Sequence, residues 1–463
     1  MKKLGLVITD GVGFRNFILS DFILKASKAF DEVVVYSFLP AEAYKDHSGF
    51  NIIELEALPE QFVTWFFRKT KEIAHLRNHA QGNAGIGDNL KTNYARGWTS
   101  RGIATRLIYM VTLLFHGEWF INLMEWCQFL TIKNHRITKD HDQLVQQHGV
   151  AVLFFTHQRP PFLTTLVIAA RRQNIKTAAF IFSWDNLASK GRMAAQFDAY
   201  LVWSDLMKNE LLEFYPRVPP DQISVVGTPQ FAPYADLTYT MKRDAFFETF
   251  PLNPMHKTLF FSCGDVSTSA NDPTYIRYIA EAISANCFGP VNFLVRTSPA
   301  ESPERFKALC DDFPWIEWNT PDWPLMRQNH QESWSQRVPT ARDIKELRAI
   351  LTYTDVNINM LSTMSLDAML FDKPVINTVM GNQQNRWYDD QRFFDYRHID
   401  CLLKSKSTHL AKDREGLITA IREALNQPQQ YKTQREAFIK QQIGRPLGES
   451  TAHVIASLIG LNS

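Results

Sequence analysis

The stretch Asp355-Val-Asn-Ile-Asn-Met-Leu-Ser-Thr-Met-Ser-Leu-Asp-Ala-Met-Leu-Phe-Asp-Lys-Pro-Val-Ile-Asn377 indicates how this chain folds. The apolar run 356–360 predicts a strand, the spacing over 364–371 predicts a short helix, and Pro374 precedes a second short strand. Strand, tight turn, helix and strand form the repeating unit of an α/β domain with a parallel sheet.

Three hydroxyl side chains, Ser362, Thr363 and Ser365, cluster where this predicted helix begins. Unpaired backbone N–H groups and the positive end of the helix dipole meet at such a point and favour a bound anion. Serine and threonine are also ordinary helix N-caps. The residues alone therefore support both a phosphate site and simple capping.

Length and composition predict two globular domains. The chain has 463 residues, too many for one simple core, and is 45% apolar and 13% aromatic, which excludes a disordered protein. Its 50 basic and 48 acidic residues leave a net charge of +2, so we expect no nucleic-acid partner. Any anion site must be local.

The cysteines and the apolar windows indicate a cytoplasmic protein. Five scattered cysteines without a C-x-x-C pair argue against a disulfide framework. The first ten residues lack the length and cleavage site of a signal peptide and predict a strand. The most apolar window, 107–130, is interrupted by His116, Glu118, Asn122 and Glu125, so we expect no transmembrane helix there.

Alternating strand and helix patterns occur in two series. The first predicts an N-terminal Rossmann-like domain over 1–245, with a helical insertion at about 60–145 that breaks the alternation. The second begins with the strand 258–262 and predicts a C-terminal domain over 246–463, whose terminal helices pack at the domain junction. In such domains, ligands lie beyond the carboxyl ends of the strands.

The loop after the first predicted strand contains four candidate substrate-binding residues. We predict a glycine turn at 10–16, followed by a helix over 17–30, and Gly11 and Gly13 would let backbone approach a ligand closely. Arg15 and Asn16 lie in the same loop. The pattern lacks the full dinucleotide fingerprint, so we expect no NAD.

The segment 61–71 contains Phe62, Trp65 and Phe66 beside Arg68, Lys69 and Lys71. Such a mixture suits peripheral contact with an anionic membrane, at the cytoplasmic face for a cytoplasmic protein. It is more typical of a helix that packs on the domain with a solvated basic face.

Four stretches resemble bacterial surface-carbohydrate glycosyltransferases of the GT-B fold, including proteins related to CDP-glycerol glycerophosphotransferases. They are Phe182-Ser-Trp-Asp-Asn-Leu-Ala-Ser-Lys-Gly191, Tyr200-Leu-Val-Trp-Ser-Asp-Leu-Met-Lys208, Val225-Val-Gly-Thr-Pro-Gln-Phe231 and Leu361-Ser-Thr-Met-Ser-Leu-Asp-Ala-Met-Leu-Phe-Asp-Lys-Pro374. The resemblance covers roughly residues 150–380. It implies an α/β protein of GT-B architecture, with two Rossmann-like domains facing across a cleft, the acceptor held by the first and a nucleotide-sugar donor by the second.

The resemblance also implies which residues of the second domain hold the donor. Ser362, Thr363 and Ser365 would bind its diphosphate, and Gly264 and Asp265 would border the same site. Arg296, in the turn Arg296-Thr-Ser-Pro299 with Ser298, would contact the leaving group. Related sequences often have a histidine in this turn, which this sequence lacks, so no role of that histidine carries over.

Asp367 lies one helical turn beyond Thr363. Its carboxylate would reach a ribose or sugar hydroxyl, or would simply favour the helix dipole.

Transfer with inversion of configuration needs a base for the acceptor hydroxyl, and the first domain has three candidates. They are His157 at a strand end, Asp10 beside the glycine turn, and Asp185 in the Ser-Trp-Asp-Asn loop. Each could instead cap a loop. Arg159, Asn186 and Lys190 are neighbouring candidates for substrate contact.

The sequence shows no Asp-x-Asp motif, and we find no cluster of histidine or cysteine with metal-ligand spacing, so we expect a metal-independent enzyme without a cofactor. The first hypothesis is transfer of a sugar from a nucleotide-sugar donor to a carbohydrate or lipid-linked acceptor in surface polysaccharide biosynthesis. Alternatives are a polyol-phosphate transferase with a CDP-linked donor, a sugar-nucleotide epimerase, and a non-catalytic scaffold of the same fold.

Overall fold

A computed structural model describes residues 2–95, 97–328, 330 and 332–461. The strands of this part are β1 (Lys3–Ile8), β2 (Glu32–Ser37), β3 (Asn51–Glu54), β4 (Val152–Phe155), β5 (Lys176–Phe180), β6 (Ala199–Val202), β7 (Ile223–Val225), β8 (Lys257–Ser262), β9 (Val291–Arg296), β10 (Glu317–Asn319), β11 (Val356–Asn359), β12 (Val375–Thr378) and β13 (His409–Ala411).

The helices of the same part are α1 (Gly11–Phe17), α2 (Phe22–Ala29), α3 (Phe62–His79), α4 (Ala84–Thr92), α5 (Ser100–Leu114), α6 (Glu118–Ile132), α7 (Arg136–His148), α8 (Leu163–Arg172), α9 (Asn186–Ser189), α10 (Asp205–Phe214), α11 (Ala232–Ala235), α12 (Arg243–Thr249), α13 (Asp272–Ser284), α14 (Lys307–Asp312), α15 (Ala341–Tyr353), α16 (Met364–Leu370), α17 (Arg397–Ser405), α18 (Arg414–Asn426), α19 (Lys432–Ile443) and α20 (Ser450–Gly460).

Two parallel sheets organise these elements. The first has strand order β3-β2-β1-β4-β5-β6-β7, and the second has order β10-β9-β8-β11-β12-β13. All strand pairs in both are parallel, which gives the predicted α/β class with two Rossmann-like domains. Most strand residues are buried, as expected of parallel sheets covered by helices on both faces.

In both sheets, the order in which the chain adds strands reverses at an equivalent place. The chain runs outward from β1 through β2 and β3 and then returns to place β4 on the other side of β1. It does the same from β8, with β11 on the other side. These two positions are topological switch points, where the connections diverge and leave a crevice at the carboxyl ends of the strands.

The chain divides into two compact units. The first comprises Met1–Ala232, Asp395–His398 and Gln442–Ser463, and the second comprises Pro233–Phe394 and Ile399–Gln441. The predicted N-terminal domain, 1–245, extends somewhat beyond this division. The predicted C-terminal domain also included the chain end, which the structure instead returns to the first unit. There α20 packs against α2, and Thr451 donates a hydrogen bond of 2.8 Å to Asp21.

The start of the chain differs from the predicted glycine turn. The Asp10 carboxylate accepts hydrogen bonds from the backbone N–H of Val12 (3.0 Å) and Gly13 (2.9 Å), so α1 begins directly after β1. The helix predicted over 17–30 is observed only as α2. The short strands β10 and β13, of three residues each, were not predicted.

The insertion between β3 and β4 consists of helices α3 to α7. Its basic residues do not form the predicted solvated or membrane-facing surface at 61–71. Arg68 pairs with Glu60 at 2.5 Å, Lys69 pairs with Glu72 at 3.2 Å, and Lys71 is only 1% exposed. The basic groups of this segment therefore stabilise the insertion from within.

Among the described residues we find no helix with both the length and the apolar character needed to cross a membrane.

Candidate functional site

The switch point of the first sheet brings together Asp10, which follows β1, and His157, which follows β4. The Nδ1 atom of His157 lies 3.0 Å from Oδ2 of Asp10, and both side chains are buried. Thr9 donates a second hydrogen bond to the same oxygen at 2.6 Å. Two of the three predicted base candidates are thus one hydrogen-bonded pair.

Asp10 remains ionised in this environment. Burial raises the pKa of its carboxyl group, but hydrogen bonds from His157, Thr9 and the N–H of Gly13 hold the pKa below its ordinary value. An ionised carboxylate requires the proton on Nδ1 of the imidazole, because only an N–H can donate to it.

The imidazole ring of His157 is fixed by stacking as well as by its hydrogen bond to Asp10. Its ring stacks on Phe182, with centroids 4.0 Å apart and planes inclined by 15°. Within the described part of the chain, Nε2 of His157 is buried without a hydrogen-bond partner. With Nδ1 protonated, Nε2 carries the lone pair, which is the arrangement of a general base positioned by a carboxylate.

The other residues of the 10–16 segment lie within α1. Gly13 must be glycine for packing, since a Cβ there would lie 2.7 Å from the Thr156 hydroxyl. Asn16 is 2% exposed, and Arg15 donates to the backbone oxygen of Gln230 at 3.3 Å. Gly11 is also buried. Instead of the predicted ligand-binding loop, these residues form the first turns of a buried helix.

Asp185 belongs to a network that fixes the loop after β5. Its carboxylate accepts from Lys190 at 3.3 Å and from Asn186 at 3.2 Å, and the Asn186 amide oxygen in turn accepts from Gln158 at 3.0 Å. Although burial opposes ionisation, the Lys190 charge helps to keep the pKa of Asp185 far below its ordinary range. Asp185 thus fixes its loop through neighbouring side chains, and as the N-cap residue of α9 it makes no side-chain capping hydrogen bond. Arg159, two residues after His157, is half-buried and helps to lower the pKa of Glu72.

The switch point of the second sheet brings the loop after β11 next to the loop after β8. Leu361 has a φ of +48°, a strained conformation for a leucine, and so bends the chain sharply from β11 towards α16. The side chain of Thr363, the N-cap residue, makes no capping hydrogen bond. The hydroxyl of Ser362 accepts from the N–H of Met364 at 3.2 Å. The Thr363 hydroxyl is therefore the better placed of the two for a ligand.

Ser365 has no exposure to solvent and joins a buried amide network. Its hydroxyl donates to Asn359 at 3.2 Å and accepts from Asn377 at 3.2 Å. Asn359 also accepts from the N–H of Ser362 at 2.8 Å and from Asn377 at 3.1 Å. The structure thus places the Ser365 hydroxyl inside the protein, where it supports the turn, and not at a predicted diphosphate contact.

Gly264 and Asp265 lie in the loop after β8, where the resemblance places them. The N–H of Gly264 donates to the buried Asp272 at 2.9 Å, and a Cβ at this position would lie 2.3 Å from the Ser269 hydroxyl. Asp265 accepts from the N–H of Ser267 at 2.9 Å, which closes a tight turn. The loop is therefore preformed and close to the second switch point.

Arg296 is used within the fold. Its guanidinium donates two hydrogen bonds of 2.8 Å to Asp343 and one to Asn319, and only 6% of the residue is exposed. Asp343 also accepts from the Trp323 indole at 2.8 Å, and despite burial the nearby Arg296 charge lowers its pKa. The predicted leaving-group contact is thus replaced by a buried ion pair that fixes the end of β9.

Two other predicted residues of this unit are also turned inward. Asp367 is 2% exposed, and its carboxylate accepts a hydrogen bond from the hydroxyl of Tyr234. This carboxylate, which was predicted to reach a ribose or sugar hydroxyl, is therefore bound within the protein. Ser298 is 7% exposed and accepts from the N–H of Ala300 at 3.2 Å. In the second unit, the turn at 361–363 and the loop at 264–269 remain as the part suited to a ligand.

The structure also shows a cluster with metal-ligand spacing that sequence reading missed. His75 and His79 lie one turn apart on α3, and Glu118 of α6 completes a group whose ligand atoms all lie within 4.8 Å of one another. Arg192 already binds Glu118 through two hydrogen bonds, of 2.8 and 2.9 Å. Burial, together with the charge of Arg192, keeps the pKa of His75 far below its usual value. A bound cation would have to displace this arginine.

Further polar residues near the second switch point were not predicted as candidates. Buried asparagines occupy β11 and β12, and their sequence signal is the interruption of apolar strands by asparagine in Val-Asn-Ile-Asn and Val-Ile-Asn. Asp272 and Asp390 are also buried, and burial raises the pKa of each carboxyl group. No local pattern could have found them, because their environment is formed by residues distant in the chain.

Comparison with solved structures shows that the fold is shared with a UDP-GlcNAc 2-epimerase, a glycosyltransferase and a wall teichoic acid polymerase. UDP-GlcNAc 2-epimerase from Neisseria meningitidis, solved with UDP-GlcNAc bound, matches 99% of this chain and 100% of its own at 11% identity and a TM-score of 0.55. A glycosyltransferase from Rickettsia africae matches 100% and 97%, at 11% identity and a TM-score of 0.53. The wall teichoic acid polymerase TagF matches 100% and 88%, at 9% identity and a TM-score of 0.51.

By sequence, neither a protein-family model nor a curated protein matches this chain. The structural likeness confirms the predicted GT-B-like architecture of two Rossmann-like domains.

Proposed function

We propose that this protein is a metal-independent glycosyltransferase that moves a sugar from a nucleotide-sugar donor to a carbohydrate or lipid-linked acceptor in surface polysaccharide biosynthesis. The pair formed by Asp10 and His157 carries this proposal, since it lies at a switch point and leaves Nε2 of the histidine free to accept a proton. Shared architecture supports the same class, although function must be argued from the site. The five free cysteines suit a cytoplasmic location.

In the proposed reaction, the acceptor oxygen attacks the anomeric carbon of the donor sugar. The bond from that carbon to the diphosphate oxygen breaks, and the nucleoside diphosphate leaves with the bonding electrons. Nε2 of His157 takes the acceptor proton, and the Asp10 carboxylate stabilises the imidazolium that results. Backbone N–H groups and the Thr363 hydroxyl of the second unit bind the diphosphate.

A sugar-nucleotide epimerase is the second candidate, because UDP-GlcNAc 2-epimerases recur among the structures that share the fold. A buried histidine positioned by a carboxylate also suits removal of a proton from a sugar carbon. A polyol-phosphate transferase remains the third, since TagF shares the fold as well. A non-catalytic scaffold is the remaining alternative, and it would not need Asp10 and His157 to be arranged for proton transfer.

One product analysis separates the candidates. The protein is incubated with UDP-, GDP-, CDP- and dTDP-linked donors, with and without oligosaccharide or lipid-linked acceptors, and products are resolved by chromatography and mass spectrometry. A glycosyltransferase releases a nucleoside diphosphate, whereas a polyol-phosphate transferase releases CMP from CDP-glycerol. An epimerase yields an isomer of the same mass with its diphosphate intact. Absence of every product across the panel would favour the scaffold.

The base is tested with His157→Ala and Asp10→Asn. General-base catalysis contributes about 10²- to 10⁴-fold, so we expect His157→Ala to lower the turnover rate by that factor while nucleotide affinity stays within about twofold. Asp10→Asn retains an oxygen for capping α1, but its amide N–H can donate to Nδ1 and shift the imidazole proton to Nε2. Its rate should fall comparably with little loss of thermal stability. Unchanged turnover in both variants would exclude the pair as the base.

A further inference from the structure

Helices α5 and α6 expose an apolar surface that the fold does not use. At least 38% of each of the following side chains is exposed: Ile103, Leu107, Met110, Leu113, Leu114, Phe115, Trp119, Leu123, Trp126 and Leu130. Soluble proteins usually expose large apolar residues singly, whereas a contiguous patch indicates an interaction surface. We call these ten residues the α5–α6 surface.

The spacing shows that the surface occupies one face of each helix. Residues 103, 107, 110 and 114 on α5, and residues 119, 123, 126 and 130 on α6, follow the same steps of four, three and four. Such steps align side chains along a single helical stripe. Phe115 joins the stripes, because its ring lies 6.0 Å from that of Trp119.

The protein-facing side of α5 is less apolar than its exposed side. Its buried residues are Gly102, Ala104, Thr105, Ile108 and Thr112, of which four are small or carry a hydroxyl group. In a helix that packs only against its own protein core, the large apolar side chains lie on the buried face and the small or polar ones on the exposed face. The larger apolar side chains of α5 are therefore suited to an environment outside this chain.

The net positive charge around the surface favours an anionic partner. Residues 88–117 contain four basic residues and one acid, Asp88, which pairs with Lys91 at 3.1 Å. The two acids of α6 are engaged by basic groups of the protein: Glu118 by Arg192 at 2.8 Å and Glu125 by Lys71 at 3.6 Å. On α5, Arg106 stacks over Trp98 at 4.4 Å, which sets a cation beside an exposed aromatic ring.

The dimensions match insertion parallel to a bilayer. Each helix has 15 residues, or about 22 Å at 1.5 Å per residue, short of the ~30 Å hydrocarbon core of a bilayer. Tryptophan is favoured at the lipid–water boundary, and three tryptophans, Trp98, Trp119 and Trp126, are more than half exposed here. Short amphipathic helices with basic flanks lie in this interface with their apolar faces buried.

We propose that the α5–α6 surface docks this protein on membranes that contain anionic lipids. A second copy of the chain is a poorer fit, because a symmetric contact through this basic segment would place like charges opposite each other. Membrane docking does not depend on the proposed function. For the proposed transferase, docking would bring the enzyme to a lipid-linked acceptor. It also moves the membrane contact from the predicted segment 61–71 to α5 and α6.

The full chain should be tested by flotation with vesicles of phosphatidylcholine alone and with 30% phosphatidylglycerol. We expect at least tenfold stronger binding to the anionic vesicles, and weaker binding at high salt. Leu107→Glu combined with Leu114→Glu should reduce the affinity at least tenfold. Arg101→Gln and Arg106→Gln should each reduce binding to anionic vesicles by about fivefold.

A matched control uses two exposed apolar residues of the second unit. Leu237→Glu combined with Met255→Glu makes the same change of charge at side chains that are 80% and 88% exposed. This variant should bind vesicles like the parent, and circular dichroism should show both double variants folded. Equal binding by the parent and the Leu107/Leu114 variant, or no binding by the parent, would overturn the proposal. So would a dimer in analytical ultracentrifugation that only the Leu107/Leu114 variant abolishes, since a second copy would then cover the surface.

Discussion

At the scale of single residues, the position of a side chain along its strand was predictable, but its partner was not. Asp10 and His157 follow β1 and β4, and that placement, with the proton affinity of histidine near neutral pH, made both candidate bases. Their hydrogen bond joins residues 147 positions apart and depends on β1 and β4 being neighbours in the sheet. Arg296 also lies at a strand end, yet its partner Asp343, on α15, turns it into a structural residue.

Arg296→Ala should therefore act mainly on stability, in contrast to the effect expected of a leaving-group contact. The substitution would leave the Asp343 carboxylate buried without its cation, which costs about 3–5 kcal/mol in comparable ion pairs. Urea unfolding followed by a probe in the second unit would measure this loss.

The exposed pair formed by Arg277 and Asp312, 2.6 Å apart in the same unit, supplies the control for Arg296. Arg277→Ala should cost less than about 1 kcal/mol, as exposed ion pairs usually do. Replacing both Arg296 and Asp343 by leucine should recover much of the stability lost in Arg296→Ala. A stable Arg296→Ala protein with strongly reduced turnover would instead restore the catalytic role.

At the scale of elements, periodicity predicted most strands and helices because apolar residues line their buried faces. The strand at 356–359, the helix at 364–370 and the strand at 375–378 agree with the opening motif to within a residue or two. Side-chain capping by Asp10 decided the start of α1 against the predicted glycine turn. The exposed apolar face of α5 has the same sequence pattern as a buried one, so only the structure reveals it.

Helix α10 contains a carboxyl group that should make stability depend on pH. Glu210 is 3% exposed and lies 3.6 Å from Arg397; burial raises its pKa to about 7, with the Arg397 charge partly offsetting the increase. Because the folded-state pKa exceeds the unfolded value, this group's stabilising contribution is complete below about pH 4.5. It is lost as the pH rises towards about 7.

Glu210→Gln should remove this dependence. The free energy of unfolding of the variant relative to the parent should rise by roughly 3 kcal/mol between pH 4.5 and 8, which corresponds to the raised pKa. Urea unfolding at several pH values measures the difference. Glu213→Gln, one turn away at a half-exposed carboxylate, should keep most of the parent's slope. Parallel curves for the parent and Glu210→Gln would show that Glu210 does not titrate in this range.

At the scale of the whole molecule, the two units share a topology but differ in the groups at their switch points. Each reverses its strand order beside its first strand and thereby opens one crevice at the carboxyl ends. The first switch point contains a buried carboxylate and histidine, whereas the second contains a strained turn with backbone N–H and hydroxyl groups. The proposed function therefore uses the first unit for proton transfer and the second for anion binding.

These roles predict which segments a bound nucleotide should protect from hydrogen exchange. A nucleoside diphosphate at about 100 times its Kd should stabilise the unit that binds it by roughly 2.7 kcal/mol. Hydrogen exchange with UDP, GDP, CDP or dTDP should then show slower exchange in the segments 263–269 and 360–366, because these form the second switch point. The loops at 9–13 and 156–159 should be unaffected, and Asp10→Asn should respond like the parent.

Two threonines of the second unit make the test specific. Thr363→Val removes the hydroxyl at the turn and should weaken nucleotide binding by about 1–2 kcal/mol. The control, Thr352→Val, changes an exposed threonine on α15 and should leave the nucleotide affinity unchanged. Selective protection by CDP would favour the polyol-phosphate transferase, and selective protection by UDP would leave transferase and epimerase to product analysis. Protection confined to 9–13 and 156–159 would reverse the roles of the units, because the buried histidine would then lie at the nucleotide and not at the acceptor.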